Sequence, residues 1–279
     1  MKHKGMVVTD LDGTLFQKDH RISERNYETL LDLGRQGIVR AIATGRHLYS
    51  AGKVLPAEFP IDFLIFSSGA GILAWPGQRL LFSASLNQEE VSLAFAALSR
   101  RSLDFMVHRP IPDNHHFLYF SFGRSNPDFE SRCRLYWDFA SPGPPQQVPS
   151  GQACQLVAIE PYFDEVSRYG EIRGELDRLT VVRTTSPLDG RSRWIEIFPK
   201  EVSKALAAVR IAIDLGIPEQ AVMAIGNDYN DTDLLKWAAR SFVVNDAPEE
   251  LLALFPVVRS GDESDFSEAV ALWREERRF

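Results

Sequence analysis

Met6-Val7-Val8-Thr9-Asp10-Leu11-Asp12-Gly13-Thr14 runs a short β-branched segment straight into an acidic turn that contains glycine. An apolar run of that length, bounded by turn residues, predicts a buried strand. The two carboxylates then stand where the strand ends. The chain that follows repeats the pattern. Ser23 is placed to cap a helix reaching about residue 36, with Tyr27, Leu30 and Leu31 on one face and Gly37 as its stop. Residues 38–44 read as a second buried strand, 46–55 as a helix closed by Pro56, and 63–66 as a third strand. Strands and helices alternating through short links predict a parallel sheet.

From about residue 74 the rhythm changes. Segments 71–74 and 79–83 flank Trp75-Pro76-Gly77 and predict a hairpin. Asn87 with Glu90 forms a capping-box pattern ahead of Val91, Ala94, Phe95 and Leu98 at helical spacing. Apolar stretches at 117–122, 155–159 and 181–182 and a helix over 163–179 follow, interrupted by the proline-rich loop 141–149. After Pro187 the first rhythm returns. A strand is expected at 194–198, a helix at 203–215 stopped by Gly216, and a strand at 221–225. A helix at 231–239, a strand at 241–244 and a short helix at 248–255 complete it. The fold class is α/β. A doubly wound, Rossmann-like parallel-sheet core from residues 1–80 and 187–279 carries an inserted α+β domain, residues 81–186.

In an open parallel sheet, ligands bind beyond the carboxyl ends of the strands. Four unusual stretches fall at such ends: Asp10-Leu11-Asp12-Gly13-Thr14, Ala43-Thr44-Gly45-Arg46, Ser203-Lys204, and Gly226-Asn227-Asp228-Tyr229-Asn230-Asp231. Asp10 suits in-line attack on phosphorus, with its other oxygen on Mg²⁺, a hard cation that prefers oxygen ligands. Asp12 suits proton transfer to a leaving oxygen and from water. The same string also reads as a polar turn; an EF-hand is excluded because loop position twelve holds Arg21, not glutamate. Thr44 either holds phosphoryl oxygens at a helix N-terminus or caps the helix after it. Arg46 reaches substrate or the insert, or lies in solvent. Lys204 either neutralises Asp10 and a phosphoryl group or faces water. Asn227, Asp228 and Asp231 supply metal oxygens, or form an Asx-rich turn in which Asp231 caps the next helix. His115 and His116, with His108 nearby, are expected on an exposed loop or strand edge and not in a metal site, since adjacent strand residues point to opposite sides.

Composition narrows the partners. The 279 residues are 44% hydrophobic and 25% charged, which excludes a disordered chain. A net charge of −7 argues against nucleic acid or an anionic membrane as partner, while a small phosphorylated ligand needs only a metal ion or a few local cations. No apolar run approaches the roughly 18 residues of a membrane span. Met6-Val7-Val8 is too short for a secretory core of about 7–15 residues. Two cysteines, Cys133 and Cys154, are too few for a disulfide framework, so a reducing, cytoplasmic location is expected.

The ordered set Asp10-x-Asp12-Gly13-Thr14-Leu15, Thr44-Gly45-Arg46, Lys204 and Gly226-Asn227-Asp228-Tyr229-Asn230-Asp231 resembles the haloacid dehalogenase (HAD) superfamily, and most closely its Cof-like hydrolases of subclass IIB. The segment Ile195-Glu196-Ile197-Phe198-Pro199-Lys200-Glu201-Val202-Ser203-Lys204 adds to the likeness. The resemblance implies a Mg²⁺-dependent phosphatase of small metabolites, with a sugar or polyol phosphate as substrate. Asp10 is then the phosphorylated nucleophile, Asp12 the acid/base, Thr44 the phosphoryl contact and Lys204 the charge balance. Gly45, Arg46, Ser68 and Asn230 become substrate contacts, and Asp10, the Asp12 carbonyl, Asn227, Asp228 and Asp231 the metal set. The insert becomes a cap that closes over the site and excludes water. A phosphosugar mutase and a catalytically impaired binding or regulatory protein stand as alternatives, and a monomer or weak homodimer is expected. Three positions depart from the family pattern: Asn227 replaces an aspartate, Glu201 and Ala205 replace glycines, and Ser68 replaces an asparagine.

Overall fold

The computed structural model describes residues 3–17, 20–144, 147–259 and 264–277. Met1 and Lys2 at the N-terminus, and Pro145 and Gln146 of the proline-rich loop, lie outside the described residues. The first elements are β1 (Gly5–Thr9), α1 (Glu24–Arg35), β2 (Ile38–Ala43), α2 (Leu48–Ala51), β3 (Phe63–Phe66), β4 (Gly71–Ala74) and β5 (Arg79–Ser83). Then come α3 (Gln88–Ser99), β6 (Asp104–His108), β7 (Phe117–Phe120), α4 (Pro127–Leu135), β8 (Ala140–Pro142), β9 (Gln155–Glu160), α5 (Tyr169–Glu175), β10 (Thr180–Thr185) and β11 (Arg193–Phe198). The rest are α6 (Lys204–Leu215), β12 (Val222–Gly226), α7 (Thr232–Trp237), β13 (Arg240–Val244), α8 (Glu249–Leu252), β14 (Val257–Val258) and α9 (Asp265–Arg277).

Contacts divide the chain into two units, Met1–Arg46, Ser50–Phe82 and Ser203–Phe279 in one, and His47–Tyr49 with Ser83–Val202 in the other. The first holds an eight-stranded sheet ordered β14-β13-β12-β1-β2-β3-β4-β5. Pairing is parallel from β14 to β3 and turns antiparallel at β4. β1 and β12 are buried at every position, as strands covered on both faces must be. Ser23 caps α1 as its sequence predicts, its side chain accepting from the Asn26 backbone N–H. The buried stripe of α1 is Asn26, Leu30 and Leu33, not Tyr27, Leu30 and Leu31. Asn26 turns inward because its amide donates to the Leu15 carbonyl at 3.3 Å and accepts from the Ser267 backbone at 3.1 Å. It therefore ties the acidic turn after β1 to α1 and to the helix containing Ser267.

The second unit is a six-stranded sheet ordered β10-β11-β9-β6-β7-β8. One face carries Phe95, Leu98, Phe105, Leu156, Ile172, Leu176 and Ile195, packing α3 and α5; the other gathers Met106, Phe117, Phe129, Val157 and Trp194 beneath α4. The Asn87–Glu90 capping box forms as expected.

Several boundaries differ from the sequence reading. β11 belongs to the second sheet, antiparallel to both β9 and β10, so the core resumes at Ser203 and not at residue 187. The reason is physical: a strand buried on both faces has the same apolar pattern in either sheet, and periodicity does not say which partner it pairs with. The helix expected over 163–179 contracts to Tyr169–Glu175, and that over 46–55 to Leu48–Ala51. His108 is 1% exposed, not on a surface. His115 and His116 sit in the loop before β7, half-buried, with rings 4.4 Å apart and both edge-on to Phe139, so they share a side instead of opposing one another.

His108 Nδ1 lies 2.8 Å from the Asn114 carbonyl and so donates to it. Burial, reinforced by the nearby Arg132 cation, depresses this imidazole to about 3. Its neutral form is the one that folds, so the stability linked to it is complete above the unfolded value of 6.5 and is lost as pH falls toward 3. Thermal unfolding followed from pH 7 to pH 4 should show a steeper loss for wild type than for His108→Gln, which keeps a donor and does not titrate.

Candidate active site

β12, β1 and β2 are neighbours, and Thr9 of β1 stands opposite Ile225 of β12 and Ile42 of β2. The loops leaving these strands thus begin about 4.8 Å apart. The chain departs β1 toward β2 on one side and returns through β12 on the other, the switch point where open sheets form their crevice. The Asp10 backbone N–H donates to the Ile225 carbonyl at 2.9 Å, locking the first acidic turn to the last.

Lys204 opens α6. Ser203 sets that start by accepting the Leu206 N–H at 3.1 Å. Gly69, at φ +104°, lets the loop after β3 lie against this first turn, since a Cβ there would stand 2.2 Å from the Ser203 carbonyl oxygen. The Lys204 side chain is wholly enclosed. Its Nζ donates to Asp10 Oδ1 at 2.7 Å, to Asp231 Oδ1 at 2.6 Å and to Asn230 Oδ1 at 3.4 Å.

Asp231 is equally buried. Its Oδ2 accepts the backbone N–H groups of Asn227 at 2.9 Å and Asp228 at 3.1 Å. Both its oxygens are therefore engaged by protein, and it anchors the loop and the lysine. Of the alternative reading, the Asx-rich turn is present, with the Asp228 and Asp231 side chains each accepting backbone N–H groups, while the Asp231 side chain makes no cap bond to α7. Gly226 makes room for it: a Cβ would fall 2.5 Å from Asp231 Cγ.

The Asp12 carboxylate points to a different partner. Arg46 grips it with Nε on Oδ2 at 2.6 Å and Nη2 on Oδ1 at 2.7 Å, a two-point pairing that fixes orientation. His20 Nδ1 stands 3.1 Å from Arg46 Nη2 and 3.4 Å from Asp12 Oδ1. Thr44 is buried, and its Oγ1 accepts the Arg46 N–H at 3.1 Å. A Cβ on Gly45 would stand 3.6 Å from Asn230 Nδ2 and 3.7 Å from Ser68 Oγ, so these three predicted substrate contacts share one rim. Ser68 reaches it from a left-handed backbone at φ +53°. Asn227 Nδ2 donates to the Asp12 carbonyl at 2.9 Å. Asp228 Oδ1 accepts the Tyr229 N–H at 2.8 Å.

Two carboxylates enclose one ammonium, which leaves the buried trio of Asp10, Lys204 and Asp231 one negative charge in excess. Burial pushes the Asp10 carboxyl up to about 7, against the pull of Lys204 and with the push of Asp231. Burial by itself would lower Lys204, but Asp10 and Asp231 outweigh it and hold the ammonium above the ordinary lysine range.

Magnesium takes oxygen ligands, keeps several waters and needs only one or two carboxylates. Among the described residues no three His, Cys, Asp or Glu side chains gather as a metal-binding set. The donors at this crevice are instead mixed: the Asp10 carboxylate, the Asp12 backbone carbonyl, the Asn227 amide and the Asp228 carboxylate. All are oxygens, and the excess negative charge beside them suits a divalent cation, so the residues fit Mg²⁺.

Every site residue expected from sequence thus lies around the β12–β1–β2 strand ends or on the loops packed against them. Sequence reasoning missed His20, which no motif marks, and the close-approach glycines Gly69 and Gly226. It also missed the donor role of Asn227, whose signal was present as the departure from aspartate.

A family model for haloacid dehalogenase-like hydrolases matches residues 7–265. The chain belongs to that family and is a hydrolase. It is 24% identical over 252 residues to an HMP-PP phosphatase of Klebsiella pneumoniae strain 342, covering 90% of this chain and 88% of that protein. It is 25% identical over 284 residues to the 5-amino-6-(5-phospho-D-ribitylamino)uracil phosphatase YwtE of Bacillus subtilis strain 168, covering 92% and 94%. Its fold is shared with a HAD phosphatase from Bacteroides thetaiotaomicron at a TM-score of 0.76 and 19% identity, covering 97% of this chain and 95% of that one.

The raised carboxyl of Asp10 has a consequence for stability. Its folded value, about 7, lies above the ordinary 3.8, so its contribution is complete below about 4 and is lost as pH rises through 7. Asp10→Asn, which removes the excess charge, should gain on wild type as pH rises. In thermal unfolding with EDTA, its melting temperature relative to wild type should be several degrees more favourable at pH 8 than at pH 5.

Proposed function

We propose that the protein is a Mg²⁺-dependent phosphatase of a small phosphorylated metabolite, a sugar or polyol phosphate, acting through an aspartyl-phosphate on Asp10. The observation that carries this reading is the buried contact of Lys204 with both Asp10 and Asp231, which presents a carboxylate and a cation at one sheet crevice. The phosphatase names of the relatives support it.

Lys204 holds Asp10 Oδ1, leaving Oδ2 to attack phosphorus. As the O–P bond to Asp10 forms, the ester P–O bond breaks and Asp12 gives its proton to the departing oxygen. Water then attacks the phosphorus, Asp12 takes the water proton, and the Asp10–phosphorus bond breaks to release phosphate. Thr44, with Gly45, Ser68 and Asn230 on the neighbouring rim, contacts the phosphoryl oxygens. Arg46 keeps Asp12 aimed and releases it for each proton transfer. Asp10, the Asp12 carbonyl, Asn227 and Asp228 would hold Mg²⁺, which when bound supplies positive charge against the phosphoryl oxygens. The second unit is read as the cap that selects the leaving group.

Asn227 favours one second reading, a binding or regulatory protein that has kept the fold and lost turnover. Mg²⁺ binding without turnover across a broad substrate panel would carry it. The protein is read as cytoplasmic, and as a monomer or weak homodimer. No helix among the described residues is long and apolar enough to cross a membrane.

Hydrolysis of p-nitrophenyl phosphate and of a panel of sugar phosphates, with Mg²⁺ and with EDTA, tests the proposal. Wild type should turn over only with the metal. Asp10→Asn should lose activity below detection, and Lys204→Met should lose about 10²–10³ in kcat. A wild type that hydrolyses none of these compounds would remove the phosphatase reading.

A further inference from the structure

We propose that Asn227 is a two-position side chain. In the metal-free protein its NH₂ caps the Asp12 carbonyl, and on Mg²⁺ binding the amide turns over so that its oxygen becomes a ligand beside that same carbonyl. The inference rests on the metal dependence proposed above and concerns how this chain manages its site when no ion is there.

Geometry gives the first support. Asn227 Nδ2 and the Asp12 carbonyl oxygen stand 2.9 Å apart. In an octahedron with ligand bonds of about 2.0–2.1 Å, adjacent oxygens are separated by that bond length times √2, about 2.9 Å. Since 2.9 Å is also the ordinary N–H···O length, exchanging the amide nitrogen for its oxygen would need no shift of the Asp12 carbonyl.

The chemistry of the amide gives the second. Two oxygens at this distance with no cation between them repel. A carboxamide carries a donor and an acceptor on one planar carbon, so half a turn exchanges an N–H for a carbonyl oxygen at the same point. An aspartate has no donor to offer, and in the absence of metal it would press a carboxylate on the Asp12 carbonyl.

The surroundings fit this use. The Asn227 backbone is pinned by Asp231 Oδ2 at 2.9 Å, so the side chain can turn without moving the loop. Gly13 provides the space, since a Cβ there would fall 2.5 Å from Asn227 Nδ2. The cluster around it already carries Asp10, Asp12, Asp228 and Asp231 against Lys204 and Arg46. A neutral residue at 227 spares the ion-free site a further negative charge, at the cost of weaker attraction for Mg²⁺.

The test compares full-length wild type, Asn227→Asp and Asn227→Ala by thermal unfolding in EDTA and by calorimetric titration with Mg²⁺. Both variants lose the cap and should unfold about 2–4 °C below wild type in EDTA, the shift expected for one hydrogen bond in a chain of this size. With Mg²⁺ they should part. Asn227→Asp should bind about tenfold or more tightly than wild type, through its added charge, and Asn227→Ala several-fold more weakly. The inference falls if Asn227→Asp is as stable as wild type in EDTA, if Asn227→Ala binds Mg²⁺ as well as wild type does, or if wild type binds none. Its fate is separable from that of the phosphatase reading. Opposed shifts in the two variants with no turnover on any substrate would keep the switch and remove the phosphatase, whereas turnover with unmoved variants would do the reverse.

Discussion

The ammonium of Lys204, sealed from water between Asp10 and Asp231, is the constraint around which the rest of the site is arranged. A buried charge that loses its partner costs about 3–5 kcal/mol, so the three groups have to arrive together. They come from the end of β1, the first turn of α6 and the loop after β12. The close-approach glycines serve this meeting: Gly69 brings the β3 loop against the start of α6, and Gly226 admits the Asp231 side chain. The two backbone N–H groups held by Asp231 extend the same network into the loop that carries Asn227 and Asp228.

The two carboxylates of the first motif are divided by environment. Asp10 is dry and shares a lysine, whereas the Asp12 side chain is 35% exposed and held by an arginine fork. Two acids of one residue type, two positions apart, are thereby placed in different electrostatic surroundings. The division comes from the loop: Gly13, at φ +76°, turns the chain at once after Asp12, and the Asp12 carbonyl faces Asn227 while its side chain faces Arg46.

Much of this was legible in the sequence, for a reason that also explains the failures. The acidic turn after β1, Thr44 after β2 and the Gly226–Asp231 run are local signals, each at the end of an apolar strand, and the parallel sheet brings such ends together without further information. Lys204 was readable only by joining its position at the start of a helix to the other stretches. Pairing partners were not readable. β11 carries an apolar pattern that either sheet would accept, and the long-range ladder that claims it leaves no local trace. The hold of Asp231 on the Asn227 and Asp228 backbone was not readable, because a carboxylate in a turn looks the same whether N–H groups or an ion engage it. Burial of His108 was invisible because its carbonyl partner, Asn114, is set by the loop conformation and not by residue type.

The order of strands has an outcome in the making of the protein. β1 sits at the centre of its sheet, yet one flank is β12, and the contact between Asp12 and Asn227 spans 215 residues. On the ribosome the earliest strand waits with one edge bare while the whole inserted unit, whose strands pair among themselves, is translated and condenses. The nascent chain therefore carries an open apolar edge for most of its synthesis, a burden for chaperones to cover. The crevice residues therefore cannot meet until the loop after β12 has been made.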